Sequence, residues 1–268
     1  MIRSRAIDGV AVLELDHGKA NALDVELCHE LDRRLREHRR APSAALVLTG
    51  RGAIFSAGVD LLRLLDEGSP YTTRLLRALG AALESLFMHP KPVVAALNGH
   101  AIAGGCVLAC AADYRLMARG TARVGVPELR VGVPFPSAAL EIMRFALEAR
   151  RFRDLMFRGA TVDPEAAVEW GLIDAIVPPE RLIERAVAQA RDLASLPPGA
   201  FRLTKLEIRA PYHGRMKAAR RGHDEAVRKA WASPLTREAI RGYVERTFRR
   251  AAPLTGGAPG GPPGTRRR

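Results

Sequence analysis

Residues 92–107 constrain the fold more than any other stretch of this chain. Pro92-Val93-Val94-Ala95-Ala96-Leu97 is an apolar run of strand length. It leads into Asn98-Gly99-His100-Ala101-Ile102-Ala103-Gly104-Gly105-Cys106-Val107, with an apolar helix over roughly residues 103–112. Two adjacent glycines at a strand-to-helix junction let another molecule come close to the backbone. The first turn of the helix offers free N–H donors and the positive end of its dipole. Such a place can hold an anion, or an oxygen that becomes one during a reaction. The same glycines also suit close packing of helix on sheet, and alone they point no further.

The rest of the chain reads as α/β with a helical end. Ile2–Ile7 and Val10–Leu15 form a hairpin around Asp8-Gly9. Asp24 caps a helix whose apolar stripe is Leu27, Leu31 and Leu35. Ala44–Thr49 is a continuous apolar run, as expected of a strand covered on both faces. Residues 50–61 read as a loop of small residues followed by a short helix, and residues 70–89 as a long amphipathic helix ended by Pro90 and Pro92. A strand over 114–118 follows. Further helices are expected over 137–158, from Asp163-Pro164 to Gly171, and from Pro179 to about Leu196, with a strand at 172–177. Pro197-Pro198-Gly199 marks a boundary. Beyond it the pattern gives helices at 199–210, 212–232 and 236–250, the last capped by Thr236. Residues 251–268, rich in Gly and Pro and closed by three arginines, are expected to be disordered.

Composition excludes some classes of function. No apolar run reaches membrane-spanning length, and the N-terminus lacks the apolar core of a signal peptide, so a cytoplasmic protein without membrane contact is expected. Cys28, Cys106 and Cys110 have no CxxC spacing and read as small core residues, so no metal site is expected. The net charge of +13 comes from 37 arginines against 5 lysines and is spread along the chain. It permits a phosphate-bearing ligand. Only 5% of residues are aromatic and there is no base-stacking motif, which argues against a nucleic-acid partner.

Gly125-Val126-Pro127-Glu128 places a carboxylate among apolar neighbours, which raises its pKa and suits a general base. Three stretches together carry a family resemblance. Ile54-Phe55-Ser56-Ala57-Gly58-Val59-Asp60-Leu61, Asn98-Gly99 through Gly104-Gly105-Cys106, and Gly125-Val126-Pro127-Glu128 with Gly132 resemble, in order and spacing, the motifs of the crotonase superfamily, also called the enoyl-CoA hydratase/isomerase family. The resemblance covers about residues 2–250. It implies a spiral of ββα units followed by a helical oligomerisation region. Residues 1–196 would be the acyl-CoA-binding core, residues 197–250 the trimerisation region, and residues 251–268 a tail outside the family.

It also implies a homotrimer or hexamer and an acyl-CoA thioester as substrate, with no permanently bound cofactor. The backbone N–H groups of Val59 and Gly104 would form an oxyanion hole. Ala20, Ala57, Val59, Asp60, Leu61 and Gly104 would contact CoA and substrate, and Glu128 would be catalytic. Hydratases of the family place a second glutamate three residues after the oxyanion glycine; here that residue is Val107. The single glutamate resembles the Δ3,Δ2-enoyl-CoA isomerases, which move one proton from C2 to C4. Dienoyl-CoA isomerases carry an Asp at the position of Pro136. Glu141 is a candidate second acid, although a salt bridge to a nearby arginine explains it better, and His100 reads as a structural polar contact. Hydration, decarboxylation or C–C hydrolysis on the same scaffold are the alternatives. A different class of alternative is a non-catalytic paralogue that binds acyl-CoA or RNA.

Overall fold

The computed structural model describes residues 1–251, with side chains through residue 247. The N-terminal hairpin pairs β1 (Ile2–Ile7) with β2 (Val10–Leu15) in antiparallel register, Ile7 opposite Val10. The helix α1 (Val25–Arg40) starts at Asp24, whose carboxylate accepts the Leu27 N–H at 2.7 Å. Three units of one design then follow. The first is β3 (Ala45–Gly50), β4 (Ile54–Ser56) and α2 (Leu61–Phe87). The second is β5 (Val93–Leu97), β6 (His100–Ile102) and α3 (Gly104–Cys110). The third is β7 (Tyr114–Ala118), β8 (Val124–Gly125) and α4 (Glu128–Val131). The chain continues through α5 (Ser137–Ala146), α6 (Ala149–Arg158), β9 (Thr161–Val162), α7 (Pro164–Glu169), β10 (Ala175–Val177) and α8 (Leu182–Ala194). It ends in α9 (Pro198–Ala219), α10 (His223–Trp231) and α11 (Pro234–Ala251).

Two sheets result. The larger has the order β1-β2-β3-β5-β7-β10, parallel from β2 onward. The smaller has the order β4-β6-β8-β9. In each ββα unit the first strand joins the large sheet and the second joins the small one. β3, β5 and β7 are therefore neighbours, and so are β4, β6 and β8. This stacks the three strand-to-helix junctions side by side. The spiral of ββα units is thus present, although no sequence repeat announces it. β4, β6 and β8 have two or three residues each, too few for a period-2 pattern, so the stretches read as loops in sequence are strands.

The buried faces follow the sequence pattern. β3 and β5 are buried along their whole length, as strands covered on both sides must be. Leu27, Leu31 and Leu35 join one core with α3 and α5, and α8 packs Leu182, Ala186, Val187 and Ala190 on the opposite face of the sheet. α2 bends at Gly68 (φ 73°), which separates the short and long helices expected there. Thr72 and Arg237 donate to the Gly68 and Leu65 carbonyls beside the bend. Two expectations for the C-terminal region need correction. Pro211 lies inside α9 rather than between helices, because buried Lys205, Arg209 and Met216 anchor the helix on both sides of it. The cap of α11 is Ser233, whose hydroxyl accepts the Thr236 N–H at 3.2 Å, and not Thr236. Ala251, placed in the tail by the sequence pattern, ends α11; residues 252–268 lie outside the described residues. Among the described residues no helix is long and apolar enough to cross a membrane.

Candidate active site

The three stacked junctions face one cavity. Ala57, Val59 and Leu61 reach it from the first unit, Ile102, Ala103, Gly104 and Val107 from the second, and Pro127, Glu128 and Val131 from the third. Each unit contributes at the same point, where its second strand gives way to its helix.

The first junction is shaped by the loop before α1. Leu23 N–H donates to the Gly58 carbonyl at 2.8 Å and Asp60 N–H donates to the Leu23 carbonyl at 3.2 Å. Ala57 N–H donates to the Ala20 carbonyl at 3.0 Å, and Gly58 N–H donates to the Ser56 hydroxyl at 3.2 Å. Among the described residues the Val59 N–H donates to no other backbone group. Gly58 has φ 82°, and a Cβ there would lie 2.7 Å from the Ala103 Cβ and 3.1 Å from the Gly104 nitrogen. Only glycine permits this approach of the first junction to the second.

In the second junction Ala103 adopts φ 54° and ψ −127°, a sparsely populated conformation for a residue with a Cβ. Its N–H donates to the Gly125 carbonyl at 2.8 Å, tying the second unit to the third. Backbone strain of this kind, costing about 1–3 kcal/mol, tends to mark functional sites. It aims the first N–H of α3, that of Gly104, which also has no backbone partner among the described residues. Gly105 behind it allows α3 to rest on β4: a Cβ there would lie 2.3 Å from the Ser56 carbonyl oxygen. A Cβ built on Gly104 would come within 4.0 Å of the Val59 nitrogen, so the two unpaired N–H groups are close neighbours.

Glu128 opens α4 and is 8% exposed. Its Oε2 is buried without a hydrogen-bond partner. Burial pushes the carboxyl up to about 8, its own backbone N–H opposing the shift only in part. A buried carboxyl held near neutrality can both accept and return a proton. Val107, fully buried, lines the same cavity. Glu128 is the one carboxylate among the cavity's lining residues.

Other sequence candidates lie elsewhere. Ala20 and Asp60 do not line the cavity. Ala20 braces the first junction from behind, and the Asp60 carboxylate caps α2 by accepting the Arg63 N–H at 3.0 Å. Glu141 is paired with Arg215 at 2.6 Å and Arg144 at 3.3 Å. His100 accepts the Arg123 N–H at 3.0 Å, joining the second unit to the third. The three cysteines are buried and free, and among the described residues no three His, Cys, Asp or Glu side chains gather as a metal site would require.

One wall comes from outside the three motifs: the 62–90 segment is expected from the sequence to contribute to it, and the C-terminal helices are not. Leu79 and Leu83 of α2, Pro136 and Ala139 near α5, and Trp231 and Tyr243 of the C-terminal helices complete the cavity. The Trp231 indole N–H donates to the Pro134 carbonyl at 2.8 Å, which fixes its ring. A region expected to serve assembly therefore closes the site of its own chain. Nothing in the sequence set Trp231 and Tyr243 apart from Phe201, Tyr212 and Phe248 in the same region.

Known proteins resemble this chain over most of its length. A putative enoyl-CoA hydratase from Thermus thermophilus is 34% identical over 245 residues, covering 88% of this chain and 95% of its own. The probable enoyl-CoA hydratase EchA17 of Mycobacterium tuberculosis is 32% identical over 76% of this chain and 78% of its own. Among solved structures, an M. tuberculosis protein described as an enoyl-CoA isomerase matches with a TM-score of 0.75 at 34% identity, covering 81% of this chain and 94% of its own, and a second structure of it, described as a probable enoyl-CoA hydratase, matches with a TM-score of 0.77 at 32% identity, covering 92% and 98%. Human mitochondrial Δ3,Δ2-enoyl-CoA isomerase shares the fold with a TM-score of 0.89 at 23% identity, covering 94% and 99% of the two chains. The family model for enoyl-CoA hydratase/isomerase matches residues 5–250, and the chain belongs to that family.

Proposed function

We propose that this protein isomerises 3-enoyl-CoA to 2-enoyl-CoA, with Glu128 as its lone proton shuttle. Enzymes of this family act on CoA thioesters. The observation that carries the finer reading is a cavity with one carboxylate. Valine at position 107 neither orients nor deprotonates water, so the addition of water lacks its second acid.

The chemistry then needs only what the cavity holds. The C2 protons of a 3-enoyl thioester are acidified by the carbonyl and by the neighbouring alkene. Glu128 as carboxylate removes one of them. The electron pair spreads over a dienolate whose oxygen accepts hydrogen bonds from the Val59 and Gly104 N–H groups. Glu128, now a carboxylic acid, returns the proton at C4, and the double bond settles between C2 and C3. Loss of one such N–H donor typically costs about 3–4 kcal/mol in the transition state. The backbone at Ala20 and from Ala57 to Leu61 would carry the CoA portion. The family resemblance supports a homotrimer, or a hexamer of two trimers, as the assembly.

The test is the ultraviolet absorbance of the conjugated enoyl thioester. A short-chain 3-enoyl-CoA should gain absorbance, its 2-enoyl isomer should hold steady, and Glu128→Gln should abolish the gain. Loss of absorbance from the 2-enoyl substrate would mean that water is added, the activity for which several relatives are named. No change with either substrate would refute the isomerase reading.

A further inference from the structure

A second cavity, about 500 Å3, lies on the other side of the α2 and α5 wall. The two cavities share Pro136 and take alternate faces of the same two elements. Leu79, Leu83 and Ala139 line the active-site cavity; Leu76, Gly80 and Ala138 line the second. The active-site cavity is small, about 80 Å3. Sites for drug-sized ligands span roughly 300–1,000 Å3. Leu79 is 5% exposed and sits within a turn of helix of both spaces. Gly80 faces open room, where an added Cβ meets no atom within 4 Å.

We propose that Leu79 is the specificity-determining partition of this site: it restricts the protein to acyl groups of a few carbons and closes off a ready-made channel for longer ones. This rests on the acyl-CoA reading above and adds the size of the acyl group. Apart from Glu128, the only polar side-chain groups at the cavity walls are the committed Trp231 indole and the Tyr243 hydroxyl, so the acyl group is a hydrocarbon. Beyond Leu79 the second cavity offers Leu76, Ala81, Ala138 and Val227 to a longer chain, and its charged groups are Arg77, Glu84, Arg220, Asp224, Glu225 and Arg228.

Binding of non-reacting saturated thioesters tests this without relying on turnover. Calorimetry on the full-length protein would compare butanoyl-CoA with dodecanoyl-CoA. The wild type should bind dodecanoyl-CoA at least about tenfold more weakly than butanoyl-CoA, because the closed cavity has no room for the added methylenes, whereas each one buried would add roughly fourfold. Leu79→Ala should tighten dodecanoyl-CoA about tenfold or more and leave butanoyl-CoA within about threefold. Adding Gly80→Leu, which refills the channel from its far side, should reverse the gain. Should Leu79→Ala fail to fold, Leu79→Val is expected to move the ratio in the same direction by a smaller step. A wild type that binds dodecanoyl-CoA as tightly as butanoyl-CoA or more tightly, or an opened variant with an unchanged ratio, overturns the partition. If neither thioester binds, the acyl-CoA reading falls and the partition with it.

Discussion

The two ends of α3 treat buried polarity in opposite ways. At its N-terminal end the Gly104 N–H is unpaired and the Glu128 carboxylate nearby is buried with an oxygen left bare. Beyond its C-terminal end every charge is answered. Arg209 donates to the carbonyls of Ala111 and Ala112, at 3.0 Å each, and to Asp113 at 2.8 Å. Lys205 donates to Asp113 at 2.6 Å and to the Lys91 carbonyl at 2.9 Å. The Arg209 guanidinium also lies over Phe87, 4.6 Å from the ring centre. One end bolts α9 to the core. The other leaves hydrogen-bonding capacity unused, at a cost to the folded protein. Both ends are buried; what separates the Asp113 cluster from Glu128 is that its charges are paired.

The sharpest way to break this comparison is to neutralise the bare carboxylate. Glu128→Gln should lower kcat by roughly 10^4, the upper range for a positioned acid-base group, while the thermal midpoint holds or rises. A large loss of stability would mean that Glu128 is structural. At the satisfied end the pattern should invert. Arg209→Met leaves Asp113 with Lys205 as its remaining cationic partner and strips the Phe87, Ala111 and Ala112 carbonyls of their donor, and should cost about 3–5 kcal/mol in a denaturant titration, with activity per folded molecule retained. Gly58→Ala sits between the two regimes. Its Cβ would crowd Ala103 and the Gly104 nitrogen, and the displaced N–H pair should cost about 100-fold in kcat/KM.

A further test is the dependence on pH. A carboxyl raised from 4.5 to about 8 binds its proton more tightly in the folded chain than in the unfolded one. Between those values the folded state holds more protons, so this group's contribution to stability declines as pH rises and levels off above about 8. The base form appears over the same range, so kcat/KM should climb through about pH 8. Glu128→Gln should flatten this part of the stability profile. A rate profile that is already flat at pH 6 would show that the carboxyl is not poised in this way.

Much of the site could be read from the chain because its chemistry is local in sequence. Gly104-Gly105, the Val59 segment and Glu128 each sit in a short motif, and the strands feeding them are long apolar runs. The convergence of these motifs was not legible from pattern alone, since β4, β6 and β8 are too short to show a period. Trp231 and Tyr243 were invisible for a different reason. Their role depends on how α10 and α11 fold back across the molecule, and nothing within a helical window encodes its distant neighbour. Pro211 misled for a related cause: local propensity predicts a break, and the buried anchors of α9 override it.

The wall built from Trp231 and Tyr243 also sets when the protein can begin to work. Those residues lie near the end of the described chain, so nearly all of it must be synthesised before the cavity is enclosed. Until then the cavity lacks the wall that Trp231 and Tyr243 supply, and the burial that raises the Glu128 carboxyl is incomplete. A ribosome-bound nascent chain that has folded its sheets would hold every motif of the site and still lack the dry interior that makes them useful.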